Sequence, residues 1–142
     1  MWLMTPHGFV SIVKKGGDEA FEYVARTRDL ASIEHVCNLL GIVTTDSIIE
    51  NQGTDYPFRV YLTKAEVSQY ALLSVEDINY SNFKDAAVGA RGKDDGYANF
   101  LMDVWKAGLD LEPDNWFDRY VRERYGEYEE EDPDTEEGTN NG

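Results

Sequence analysis

Residues 8–28 read GFVSIVKKGGDEAFEYVARTR and hold two β-type runs around a turn. The first run, 8–15, is apolar and rich in β-branched residues. The second, 19–28, alternates, with Phe21, Tyr23 and Ala25 on one face, as a side-chain period of two requires. Between them Lys15-Gly16-Gly17-Asp18 has hairpin-turn chemistry, because glycine accepts the positive φ that tight turns impose. An antiparallel hairpin is expected here, with residues 1–4 extending its first strand across a bend at Pro6 and Gly8.

Downstream the apolar period lengthens. Asp29 is placed to cap a helix carrying Leu30, Ile33, Val36, Cys37 and Leu40 on one stripe, closed by Gly41. Residues 42–49 are β-branched and predict a short strand, and 51–55 a loop. In YPFRVYL, 56–62, Phe58, Val60 and Leu62 share a face, and Pro57 suits a strand start or edge. Thr63-Lys64-Ala65-Glu66 is a capping box, opening a helix expected to reach about residue 73.

Ser81 is the expected cap of a short helix over 82–88, and GARGKDDG, 89–96, reads as a polar loop. Tyr97, Phe100, Leu101, Val104, Trp105 and Gly108 then recur at helical spacing. Pro113 stands at the first-turn position of a last amphipathic helix bearing Trp116, Phe117, Tyr120, Val121 and Arg124. Strands come early and helices late. The expectation is one α+β domain over 1–126, with a small antiparallel sheet of three to four strands packed against several helices.

Composition narrows the function classes. The chain has 142 residues, enough for one core, and its 42% hydrophobic and 13% aromatic content is too apolar for wholesale disorder. A single cysteine excludes an intramolecular disulfide and a Cys-rich zinc site. No apolar run approaches the roughly 20 residues of a membrane helix, and no basic segment opens the chain, so a cytoplasmic protein is expected. The net charge is −15, yet eight acids lie in 127–142 with no base, leaving only −7 on 1–126. Residues 127–142 are too polar to repay the entropy of ordering and read as a disordered acidic tail.

No motif carries chemistry clearly. Gly89-Ala90-Arg91-Gly92-Lys93-Asp94 departs from a phosphate loop in its glycine spacing and in Asp94, where a magnesium-binding hydroxyl belongs, and reads better as a flexible interhelical connection. His7 and His35 lack partners at metal-ligand spacing, and His35 and Cys37 fall on different helical faces. Adjacent acids such as Glu76-Asp77 mean little among 28. No catalytic, metal or cofactor residue is assigned, which favours a non-enzymatic protein. In the last helix Trp116, Arg119 and Tyr120 mix base and aromatics, but Asp114, Asp118 and Glu123 offset the charge, so direct nucleic-acid binding is not expected.

Four segments carry a resemblance: Met1-Trp2-Leu3-Met4-Thr5 leading to Gly8-Phe9-Val10-Ser11, Asp55-Tyr56-Pro57-Phe58-Arg59-Val60, Tyr80-Ser81-Asn82-Phe83-Lys84, and Tyr97 with Val104-Trp105. Over about residues 1–109 the chain resembles a small family of functionally uncharacterised bacterial and bacteriophage proteins. The resemblance implies a bacterial or phage origin and transfers no activity. It directs attention to Arg59, Tyr80, Asn82 and Lys84, and residues 110–142 depart from the family.

The first reading is a protein-binding module, a phage or prophage accessory acting on a bacterial host protein, with Tyr56, Phe58, Tyr61, Trp116 and Tyr120 as aromatic anchors. A sharper version is nucleic-acid mimicry by the acidic tail. A cleft near Arg59, Tyr80 and Lys84 serving a small ligand or an enzyme is the alternative, and a self-associating structural protein is the third.

Overall fold

The computed structural model describes residues 1–15, 20–112 and 116–126. The turn at 16–18, Pro113 and the acidic tail 127–142 lie outside the described residues. The chain divides into two compact units, Met1–Leu101 and Met102–Gly142.

The first unit is built on an antiparallel sheet. Its strands are β1 (Trp2–Thr5), β2 (Gly8–Lys14), β3 (Tyr23–Thr27), β4 (Ile49–Glu50) and β5 (Phe58–Leu62), in the order β1-β2-β3-β5-β4. The expected hairpin is β2 and β3, with Ile12 opposite Ala25. Residues 1–4 do not prolong β2. They form a separate strand folded back on it, Met4 opposite Phe9, because the chain reverses at Pro6-His7. With the two-residue β4 this gives five strands. The β-branched run 42–49 is mostly not strand: Thr44–Ser47 is a helical turn, α2, leaving only Ile49 to pair with Arg59.

Helix α1 (Leu30–Leu40) starts where Asp29 accepts from the Ser32 amide and stops at Gly41, whose φ of 70° suits glycine. Helix α3 (Lys64–Glu76) has the full capping box, Thr63 accepting from the Glu66 amide while Glu66 accepts from the Thr63 amide. It ends three residues beyond the expected limit. Val10, Ile12, Ala25, Val60 and Leu62 on one sheet face pack with Ile33, Val36 and Cys37 of α1 and Tyr70 of α3, all buried. At about 1.5–3 kcal/mol per large apolar side chain, this cluster dominates the unit's stability.

Helix α4 (Phe83–Arg91) is capped by Asn82, not Ser81: the Asn82 Oδ1 accepts from the Asp85 amide at 3.1 Å. Helix α4 also consumes the start of the expected loop, ending at Gly92 with φ 92°. Helix α5 (Gly96–Gly108) begins beside it. Tyr97 and Leu101 of α5 and Ala87 of α4 pack with Phe9, making a second apolar cluster on the sheet face away from α1. In the second unit, a 3-10 turn (Leu109–Leu111) precedes α6 (Trp116–Tyr125), whose side chains are exposed except for half-buried Val121. No helix among the described residues is long and apolar enough to cross a membrane.

Candidate functional site

Period two places Arg26 on the face of β3 opposite the one that meets α1, and Arg28 follows one residue past the strand's end at Thr27. Register adds a third arginine, since Arg59 of β5 lies directly across from Arg26. One row of this face therefore runs Trp2, Ser11, Arg26, Arg59, Ile49 across all five strands. Trp2, Ile49 and Tyr61 are exposed around it.

Tyr56 organises the arginines. The Arg26 and Arg28 guanidinium carbons stand 4.7 and 5.2 Å from its ring centroid, as cation–π contacts require. Its carbonyl accepts from Arg59 Nε at 3.2 Å. Arg26 Nη2 donates to Ser11 Oγ at 2.8 Å, but Arg26 Nε is buried with no hydrogen-bond partner. Among the described residues none of the three arginines forms an ion pair. Like charges directly opposite on a sheet are unfavourable by about 0.2–1 kcal/mol, and a buried unmade bond to a charged donor adds to that. This face thus sets the repulsion between Arg26 and Arg59 against their contacts with Tyr56 and Ser11, and leaves both guanidinium groups without an acid among the described residues.

A fourth arginine is the reverse case. Arg91, at the end of α4, is 12% exposed and uses every donor direction. It binds both Asp95 oxygens at 3.1 Å, the Asp29 carboxylate at 3.1 Å, the His7 carbonyl at 3.0 Å and Ser32 Oγ at 3.3 Å. Burial opposes its charge, but the bonds to Asp95 and Asp29 outweigh it and hold the guanidinium protonated. Asp95 in turn is held below the ordinary carboxylate range by the Tyr97 amide and then by Arg91. Tyr97 donates its hydroxyl to the Thr5 carbonyl at 2.7 Å, and burial raises its phenol well above the ordinary range.

Between these features lies a cavity of about 430 Å³. Phe9, Tyr97 and Phe100 supply its apolar lining, Arg28 and Arg91 its cations, and Asp29 and Asp95 its acids. Phe100 stacks on Tyr97 at 5.9 Å and lies 5.3 Å from Phe9.

The residues singled out from sequence are dispersed. Arg59 belongs to the arginine face. Asn82 is the cap of α4, Tyr80 packs 6.0 Å from Phe83, and Lys84 is half-buried on α4. None of Arg59, Tyr80 or Lys84 lines the cavity. Trp116, Arg119 and Tyr120 lie on α6 of the second unit, where Trp116 is 6.5 Å from Tyr120 and Arg124 donates to the Tyr120 hydroxyl. Arg26, Arg28 and Arg91 were not singled out, although the i, i+2 spacing of the first two was visible.

His35 stacks on His7 at 4.2 Å, and His7 faces Asp77 at 3.3 Å. Burial first, and then His7, lowers the His35 pKa to about 4. Cys37 is a core residue whose thiol burial pushes up, not a nucleophile. No group of three or more potential metal ligands occurs among the described residues. No family model matches the chain, and neither a curated protein nor a solved structure matches it.

Proposed function

We propose that this chain is a non-enzymatic binding module whose working surface is the arginine face of the sheet, and that its partner is a protein presenting carboxylates flanked by apolar groups. One observation carries the reading. Arg26, Arg28 and Arg59 gather around Tyr56 without a carboxylate partner among the described residues, in a chain of net charge −15. A partner carboxylate between Arg26 and Arg59 would relieve their repulsion. Trp2, Tyr61 and Ile49 supply the apolar rim that interfaces use as anchors.

The resemblance to bacterial and phage proteins makes a bacterial host protein the natural partner. A nucleic acid fits less well, because the field of a −15 chain opposes a polyphosphate at long range. The test is site-specific photo-crosslinking in bacterial lysate, with the crosslinker at Tyr61 or, as control, at exposed Leu72 of α3. The expected result is one discrete adduct from Tyr61, diminished by salt. Adducts of equal yield from both positions would overturn the reading.

A further inference from the structure

We infer that the cavity beside the arginine face is a binding site for a small aromatic carboxylate. Its volume of about 430 Å³ falls in the range of small-molecule sites, roughly 300–1,000 Å³. The inference goes beyond the proposed protein interface, since it rests on the cavity's lining and not on the Arg26–Arg59 pair.

The lining selects the ligand's body. Phe9 and the Tyr97–Phe100 stack line the cavity with aromatic carbon, the surface on which a flat ring gains most from offset or edge contact. Tyr97 cannot swing away, because its hydroxyl is committed to the Thr5 carbonyl in the buried interior. The aromatic wall is therefore preformed.

The charges select the ligand's head group. Arg91 has spent its donors on Asp29, Asp95, Ser32 and His7. The two acids are spent as well: Asp29 also accepts from the Ser32 amide and hydroxyl, and Asp95 from the Tyr97 amide. What remains is Arg28, exposed, stacked on Tyr56 and without a hydrogen bond or ion pair among the described residues. A single fork of donors fits one carboxylate bidentately. A second negative charge would meet no free cation and the acids of the wall.

The experiment titrates the full-length chain with benzoate, 2-naphthoate and indole-3-carboxylate, with 2-naphthylmethanol and adenosine 5′-monophosphate as contrasts, followed by saturation-transfer NMR and calorimetry. The expected result is binding of at least one carboxylate, weakened about tenfold or more by loss of charge in its alcohol and by Arg28→Gln. No binding by any carboxylate, or binding unaffected by Arg28→Gln, would overturn the site. Preference for the nucleotide over every carboxylate would overturn the ligand class.

Discussion

Two arginine clusters on the first unit show the same side chain used in opposite ways. Arg91 is enclosed, hydrogen-bonded in every direction and paired with Asp29 and Asp95. Arg26 and Arg59 face each other across β3 and β5 with a buried Nε left over and no acid paired to either among the described residues. The first arrangement holds α1, α4, α5 and the β1–β2 turn together. The second leaves like charges opposed and one donor unmade, offset in part by the Tyr56 ring and carbonyl, and a local departure of this kind from the rules of the fold is where a binding role is most economically placed.

The comparison breaks most easily at Arg91. Arg91→Met removes the fork and strands two carboxylates, so we expect a loss of about 2–4 kcal/mol in chemical denaturation, discounted for the partial exposure of both acids. Arg91→Lys should recover little, because an ammonium cannot serve two carboxylates, a carbonyl and a hydroxyl from one plane. A stability unchanged by either substitution would remove the contrast.

Gly8→Ala probes the same junction from the strand side. An added Cβ would lie 2.2 Å from Ser32 Oγ and 2.9 Å from the Ser32 Cα, so backbone must move, at a cost of about 1–3 kcal/mol. Because Ser32 also accepts from Arg91, this loss should be smaller in the Arg91→Met background than alone.

Acid sharpens the contrast further. His35 has a folded pKa of about 4 against an ordinary 6.5, so between these values the unfolded chain binds a proton that the folded chain refuses. Stability must therefore fall as pH drops from 6.5 towards 4, by about 1–2 kcal/mol once its partial exposure is allowed for. His7 and Asp77 are the groups that modulate it. His35→Gln should flatten that slope. A second loss, from the depressed Asp95, begins only below its ordinary value of 3.8 and is smaller in Arg91→Met, where the Tyr97 amide alone still depresses it. The arginine face contributes to neither.

Much of this was legible in the sequence. The period of two in 19–28 and the capping box at Thr63 led directly to β3 and α3, and with them to an α+β domain. Arg26 could have been placed on its face by the same rule. Its opposition to Arg59 could not, because register between β3 and β5 depends on the long connection through α1, α2 and β4. Arg91 was hidden for another reason: the glycines at 89 and 92 make its segment look like a loop, whereas tertiary bonds to Asp29 and His7, 62 and 84 residues away, keep it helical to its end. The short β4 was overread because β-branched residues 42–49 favour strands only where a partner strand is free.

The smallest expected effect on stability is at Arg59. Arg59→Glu loses a bond to the Tyr56 carbonyl but replaces a repulsion with an attraction to Arg26, so the two nearly cancel and stability should stay within about 0.5 kcal/mol.

That same protein supports the most direct measurement of the central claim, capture of a partner from bacterial lysate by wild type and by Arg59→Glu side by side. A stoichiometric protein partner is expected on the wild type and none on the folded variant. The same partner held in equal amount by both would contradict it.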